Sequence, residues 1–194
     1  MPLQKNQVFT LRVERLSSDG SGVAHSPDGE TVFIPGAAPG DEARVRIVKD
    51  CKRYAFGILD EVLTPSPDRI PVDCAVAGPC GGCSLQHMDY DEQLRMKLAR
   101  VNDALTRIGG VSTPVQDIIG MEYPLCYRNK AIYAVGKKNG RVVKGFYRAS
   151  SHDITPVEQC LLQLPLADKA AQAVCDWMNL RGVAPYDEVT GRGT

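Results

Sequence analysis

The sequence predicts an α+β protein: a small five-stranded, OB-like β-barrel, then an α+β domain built around a cysteine site. Three observations lead there. Apolar–polar alternations recur through residues 8–62, broken by a turn roughly every eight to twelve residues, the pattern of a small barrel. Leu94, Leu98, Val101, Leu105 and Ile108 then repeat at steps of four and three, which is helical spacing. Between them, "CAVAGPCGGC" places Cys74, Cys80 and Cys83 within ten residues.

The barrel strands are read in order. "VFTLRVERL" alternates over Val8 to Leu16, and two Gly-containing turns surround the short runs Gly22–His25 and Thr31–Pro35. "DEARVRIVKD" alternates again through Ala43, Val45 and Ile47, and "YAFGILDEVL" makes the fifth strand. Pro65, Pro67 and Pro71 mark "TPSPDRIP" as an extended linker, so one domain is drawn over residues 1–63 and a second over 64–194. Asp89 with Glu92 has the spacing of a capping box for the helix that follows, and Gly109–Gly110 stop it. The leucine stripe of that helix is expected to face a core. "KKNG" at Lys137–Gly140 between two β-prone runs predicts a hairpin. A final helix is expected from about Leu166 to Leu180, after Pro165 and before Gly182. "YDEVTGRGT" is strand-like and carries no ending signal, so the chain is expected to be cut from a longer protein.

Composition narrows the function classes. The chain has 194 residues, 43% apolar and 24% charged, enough to bury a core. It has no run of about 18 apolar residues and no secretory leader, so no membrane role is expected and the cytoplasm is the expected location. Thiols stay reduced there, and an odd count of seven cysteines fits a closed disulfide framework poorly. Cations and anions balance at 23 each, so the distribution of charge matters more than its sum. Arg128, Lys130, Lys137, Lys138, Arg141, Lys144 and Arg148 fall between Cys126 and His152 with no Asp or Glu among them. Tyr127, Tyr133, Phe146 and Tyr147 are interleaved, the composition of a surface for unpaired nucleic acid. The barrel segment "KDCKRYAFG" repeats the theme with Lys49, Lys52, Arg53 and Tyr54.

Cys74, Cys80 and Cys83 form C-x5-C-x2-C, one ligand short of a tetrahedral set. His87 would complete a local zinc site of three thiolates and one imidazole. Cys160 would complete the four thiolates that iron–sulfur clusters prefer. Spacing alone leaves the two open. Cys51, Cys126 and Cys175 have no comparable partners.

Taken in order, the barrel over 8–62, C-x5-C-x2-C, "YRNKA" at Tyr127–Ala131 and "GFY…SHDI…VEQC" at Gly145–Cys160 resemble the N-terminal half of the TRAM-domain RNA (uracil-5-)-methyltransferases. These enzymes make 5-methyluridine in ribosomal or transfer RNA. The resemblance implies a [4Fe–4S] cluster held by Cys74, Cys80, Cys83 and Cys160, with His87 a bystander. It also implies RNA as the partner, ribosomal (23S) rather than transfer RNA; the basic, aromatic-rich segments make Lys49, Lys52, Arg53, Tyr54, Arg128, Lys130, Phe146 and Arg148 the expected contacting side chains. No protein partner is inferred. The family's S-adenosylmethionine-binding domain and its cysteine nucleophile have no counterpart. "DGSGVAH" offers Gly20 and Gly22, but His25 stands where the third fingerprint glycine belongs. The catalytic domain is therefore expected to be absent, no catalytic residue is assigned, and the fragment alone is expected to be inactive. The competing reading is a free-standing RNA-binding module stabilised by zinc.

Overall fold

The computed structural model describes residues 3–149, 151–187 and 190–193. These form two compact units, one from residues 3–72 and 84–120, the other from 73–83 and 121–193. The 63/64 boundary expected from the sequence falls inside the first unit, where Ser66 and Arg69 bond to Asp41 in the connection before Glu42.

In the first unit, β1 (Val8–Arg12), β2 (Arg15–Leu16), β3 (Gly22–His25), β4 (Thr31–Ile34), β5 (Glu42–Asp50) and β6 (Tyr54–Thr64) make one sheet in the order β1-β5-β6-β4-β3-β2. All pairs are antiparallel except β4 with β6. Six strands appear where five were expected, because Val8–Leu16 changes partner midway. The Val13 N–H donates to the Asp41 carbonyl (2.9 Å), and the next N–H, of Glu14, donates to Val23 (2.8 Å). One bent segment therefore carries both edges of the sheet. The sheet's apolar face is lined by Leu11, Val13, Val32, Ile34, Val45, Ile47 and several alanines. Gly57 is required where β6 crosses β5: a Cβ there would lie 2.4 Å from Val45 Cγ1.

Asp41 ties this unit together. Its fully buried carboxylate accepts the N–H groups of Ala38 (2.7 Å) and Ser66 (2.8 Å) and pairs with the Arg69 guanidinium at 2.6 Å. Arg69 also donates to the Gly36 carbonyl (2.8 Å), and its backbone bridges to Met88. "TPSPDRIP" is consequently part of the packed unit rather than a free linker.

The helix α1 (Tyr90–Arg107) begins at Asp89, whose carboxylate accepts the Asp91 N–H. The capping box is only half made, since the Asp89 N–H donates to Asp68 and Glu92 turns to Arg95. The core-facing stripe is also corrected: no residue of α1 is buried, Val101 is 47% exposed and Ile108 87%. Long polar side chains hold the helix instead. Gln93 donates to the Leu85 and Met88 carbonyls, and Arg100 to Ser18. Asn102 exchanges two hydrogen bonds with the Val115 backbone, and the chain passes so close at Gly120 that a Cβ would sit 2.6 Å from Leu94.

The second unit holds β7 (Ala134–Lys138), β8 (Arg141–Tyr147) and β9 (Ile154–Pro156) in that order, with α2 (Pro165–Arg181) packed on β8. Asn139 and Gly140 both have positive φ (49° and 81°), the two-residue turn expected of "NG". Pro165 opens α2 and Gly182 closes it at φ 65°. Val142, Cys175 and Met178 form its core, with Val135 and Val183 against them. Of the strand expected in "YDEVTGRGT", one bridge is present, Asp187 with Arg192; Glu188, Val189 and Thr194 lie outside the described residues.

Burial alone would raise the Asp41 carboxyl, but Arg69 and the two N–H donors hold it below its ordinary 3.8. A lowered folded value stabilises the fold above that pH, and the contribution disappears as acid protonates the group. Arg69→Met is therefore expected to cost about 3–5 kcal/mol at neutral pH by stranding a buried carboxylate. Urea midpoints of the two proteins, followed by far-UV circular dichroism, should converge below pH about 4.

Candidate nucleic-acid interface and cysteine site

The β5–β6 turn is three residues long, Cys51–Arg53. Lys52 adopts φ 68°, and its N–H is taken by the Asp50 carboxylate (2.7 Å), which leaves the Lys52 and Arg53 side chains in solvent. Inward-facing Val32 and Ala55 are register partners, so Phe33 and Phe56, the next pair, face outward. With Tyr54 they make a three-ring group whose centroids stand 5.6–5.8 Å apart. Lys49 sits opposite Phe56 on β5. Nearer the other end of β5, Arg44 and Arg46 are neutralised by Glu61 and Asp60 (2.8 and 2.7 Å). Lys49, Lys52 and Arg53 have no ion-pair partner among the described residues. The sequence reading found these cations and Tyr54 but missed Phe33 and Phe56. The alternation Val32-Phe33-Ile34 against Ala55-Phe56-Gly57 is the signal that would have placed both rings outside.

The other sequence-assigned residues lie in the second unit. Arg128 and Lys130 are exposed. Arg128 bonds to Tyr127 and stands within the electrostatic reach of the Cys83 and Cys160 thiols. Arg148 is exposed, whereas Phe146 is half-buried against Tyr133, with ring centroids 5.3 Å apart. Lys144 corrects the picture of seven solvent-facing cations, because it is 2% exposed. It alternates with Val142 on β8 and so shares the face that packs on α2.

Cys74, Cys80, Cys83 and Cys160 all belong to this unit, and none is in a disulfide. Burial pushes the Cys83 thiol up, and Cys160, Cys80 and Cys74, in that order, push it further. The four thiols are thus electrostatic neighbours, although no three His, Cys, Asp or Glu side chains among the described residues stand close enough to hold a metal ion. The loop wraps tightly. The Gly81 N–H donates to Tyr147 (3.2 Å), and a Cβ on Gly81 would lie 2.9 Å from the Tyr147 carbonyl. The Gly82 N–H points at Cys80 Sγ (3.4 Å). In donor chemistry alone, four thiols with one N–H, that of Gly82, directed at sulfur suit a soft metal centre. His87 sits in the other unit. Burial and the nearby Arg69 push its imidazole below the ordinary value, while Ala37 and Asp41 act the other way.

A buried network positions Cys160. Asp168, in the first turns of α2, accepts the Cys160 N–H on Oδ2 (2.9 Å) and both Lys144 Nζ (2.9 Å) and the Tyr133 hydroxyl (2.8 Å) on Oδ1. Lys144 gives its other two protons to the Val157 and Glu158 carbonyls (2.8 Å each) and lies 4.9 Å from the Tyr133 ring centroid. All three ammonium protons are satisfied, which is what allows a lysine to be buried. Strand β8, helix α2 and the segment leading to Cys160 meet on this one ion pair.

Comparison with known proteins finds similarity along the whole chain. The TRAM domain family matches residues 2–59. An uncharacterised RNA methyltransferase of Halalkalibacterium halodurans is 42% identical over 194 residues, all of this chain and 42% of that protein. One from Clostridium tetani is 39% identical over 193 residues, again all of this chain and 42% of that protein. The chain carries a TRAM domain and is a relative of RNA methyltransferases. It spans about 42% of the length of these relatives. The crystal structure of Pyrococcus abyssi tRNA (uracil-54, C5)-methyltransferase, with S-adenosyl-L-homocysteine, shares the fold over 95% of this chain and 40% of its own (TM-score 0.63, 22% identity). The three-ring group and its free lysines lie on the TRAM domain. Among the described residues no helix is long and apolar enough to cross a membrane.

Removing one partner of the Lys144–Asp168 pair should cost the second unit about 3–5 kcal/mol. Trp177, the chain's one tryptophan, lies on α2 and reports that unit alone. Its emission should shift at lower urea in Lys144→Met and in Asp168→Ala, and Lys144→Met/Asp168→Leu should recover part of the loss.

Proposed function

We propose that this chain is the RNA-recognition part of an S-adenosylmethionine-dependent RNA (uracil-5-)-methyltransferase. The observation that carries the reading is the β5–β6 turn of the TRAM domain, where Lys49, Lys52 and Arg53, unpaired among the described residues, border the Phe33–Tyr54–Phe56 rings. Those cations neutralise phosphates while the exposed ring of Tyr54, 40% accessible, offers a face to an unpaired base. Arg128 and Lys130 supply cationic contacts on the second unit. Binding of this kind holds structured RNA and favours a uridine already out of its stack, the form in which a base becomes accessible to chemistry. The methyl group comes from S-adenosylmethionine, bound in a part of such enzymes that this chain does not span. The 194-residue chain is accordingly expected to bind RNA without methylating it.

The same reading assigns Cys74, Cys80, Cys83 and Cys160 to a [4Fe–4S] cluster, supported by the electrostatic influence of the other three thiols on Cys83. Bound there, the cluster would cross-link the Cys74–Cys83 loop to the Cys160 segment, a structural task that methyl transfer itself does not require. Asp168 and Lys144 hold the Cys160 backbone in place for it, and Gly81 and Gly82 let the loop close around the sulfurs.

RNA binding is tested by fluorescence anisotropy across a salt series. Replacing Lys49, Lys52 and Arg53 with Ala should flatten the log–log salt slope by about 0.7 for each single-strand phosphate left without its cation. Tyr54→Ala should cost about 1–3 kcal/mol of binding. Unchanged affinity in both would reject this face. A 23S ribosomal transcript and a tRNA transcript, offered side by side, decide between the ribosomal substrate expected from the sequence and the transfer RNA of the Pyrococcus abyssi enzyme.

Anaerobic purification followed by metal and sulfide analysis tests the cluster. Iron with sulfide is expected, and Cys160→Ser should lose both. Stoichiometric zinc, or full iron in Cys160→Ser, would overturn the ligand set.

A further inference from the structure

The β7-β8-β9 sheet has a second face, away from α2. Val143 lies on it, since it alternates with Val142 and Lys144, which face the helix side. Gly136 pairs with Val143, and the absence of a Cβ there lets Ile154 lie across it: a Cβ would meet Ile154 Cδ1 at 2.5 Å. Over this floor is a cavity of about 470 Å³ lined by Lys137, Lys138, Arg148 and His152 as well as Val143 and Ile154. Its one carboxylate is Asp153. Lys137, Lys138 and Arg148 form no ion pair among the described residues, with Asp153 or any other group. The Tyr147 and His152 rings stand 5.5 Å apart beside it.

Three unpaired cations around one concavity repel one another, and an anion would relieve that repulsion. A bare phosphate would use the rim and leave the apolar floor wet. A nucleotide uses both, because it joins an anionic group to a flat apolar base. The volume suits one such unit, since small-ligand sites run from about 300 to 1,000 Å³. We infer that this cavity binds one unpaired nucleotide of the RNA, its phosphate among Lys137, Lys138 and Arg148 and its base over Val143 and Ile154. The inference rests on the RNA-binding reading and adds to it a second, single-strand-selective contact, separate from the Lys52–Arg53 turn.

The test uses the 194-residue chain, a fluorescein-labelled oligouridine and a blunt RNA duplex. Lys137→Ala/Lys138→Ala/Arg148→Ala alters only exposed side chains, and an unchanged Trp177 emission verifies its fold. It should bind oligouridine at least about tenfold more weakly near 0.1 M salt, with a salt slope lower by about two, while duplex binding changes much less. Arg replacing both lysines should keep wild-type affinity. Crosslinking of 5-iodouridine RNA to the wild type should label the peptide holding Val143 and Tyr147 or the one holding His152 and Ile154. The assignment is overturned if the triple variant binds oligouridine like the wild type while Lys49→Ala/Lys52→Ala/Arg53→Ala is weakened. Equal losses for oligouridine and duplex would make the cavity a general anion surface. Inorganic phosphate competing as well as uridine monophosphate would remove the base contact. If the wild type binds no RNA at all, the RNA-binding reading falls first and this cavity with it.

Discussion

The second unit depends on one buried carboxylate. Asp168 accepts hydrogen bonds from a lysine on the sheet, a tyrosine before the sheet and the peptide N–H of Cys160, so three segments remote in sequence share a single anchor. Burying an ion pair is costly, and the cost is met only where every remaining donor is also satisfied. Lys144 meets that condition with two carbonyls, of Val157 and Glu158, from the segment between β9 and Cys160. The pair therefore fixes position more than it adds stability. Hydrophobic residues of similar volume could hold the helix to the sheet, but they could not orient the Cys160 peptide.

The first unit uses the same device. Asp41 joins the β4–β5 connection, the exit of β6 and Arg69, and Arg69 in turn reaches Gly36 and the Met88 backbone. Each unit thus uses a buried acid to pin chain that has too few apolar residues to pin itself. This explains why "TPSPDRIP" is not a linker despite three prolines. Its Ser66 N–H and Arg69 side chain are the donors that Asp41 requires, and prolines merely stiffen the path between them.

Much of this was legible in the sequence, and the exceptions share a cause. The barrel strands, the Asn139–Gly140 turn and the limits of α2 follow from local chemistry: period two, positive φ, Pro at the start and Gly at the end. What misled was chemistry decided at a distance. The Leu94–Ile108 stripe has helical spacing, yet spacing cannot say what covers it, and in the structure polar side chains dock the helix. Lys144 resembles its six cationic neighbours in composition, and only the strand alternation separates it from them. Phe33 and Phe56 were passed over because they are isolated in sequence, whereas their pairing across β4 and β6 brings them beside Tyr54. The four-cysteine set did not come from spacing at all, since joining a compact loop to a thiol 77 residues beyond Cys83 rests on family resemblance.

The even balance of charge bears on how such a chain could hold RNA. With 23 cations and 23 anions there is no long-range field to draw a polyanion, so attraction must come from local groups left without partners. The structure disposes its cations accordingly. Arg44, Arg46 and Arg69 are matched by carboxylates, and Lys144 is buried on one. Among the described residues Lys49, Lys52, Arg53, Lys137, Lys138 and Arg148 are not. Arg128 stands between the two classes, because its neighbours are the thiols of Cys83 and Cys160. Thiolates holding a metal carry negative charge, and a guanidinium that offsets it has less to give a phosphate. On the proposed reading, Lys130, two residues on and exposed, would be the stronger phosphate contact of the pair.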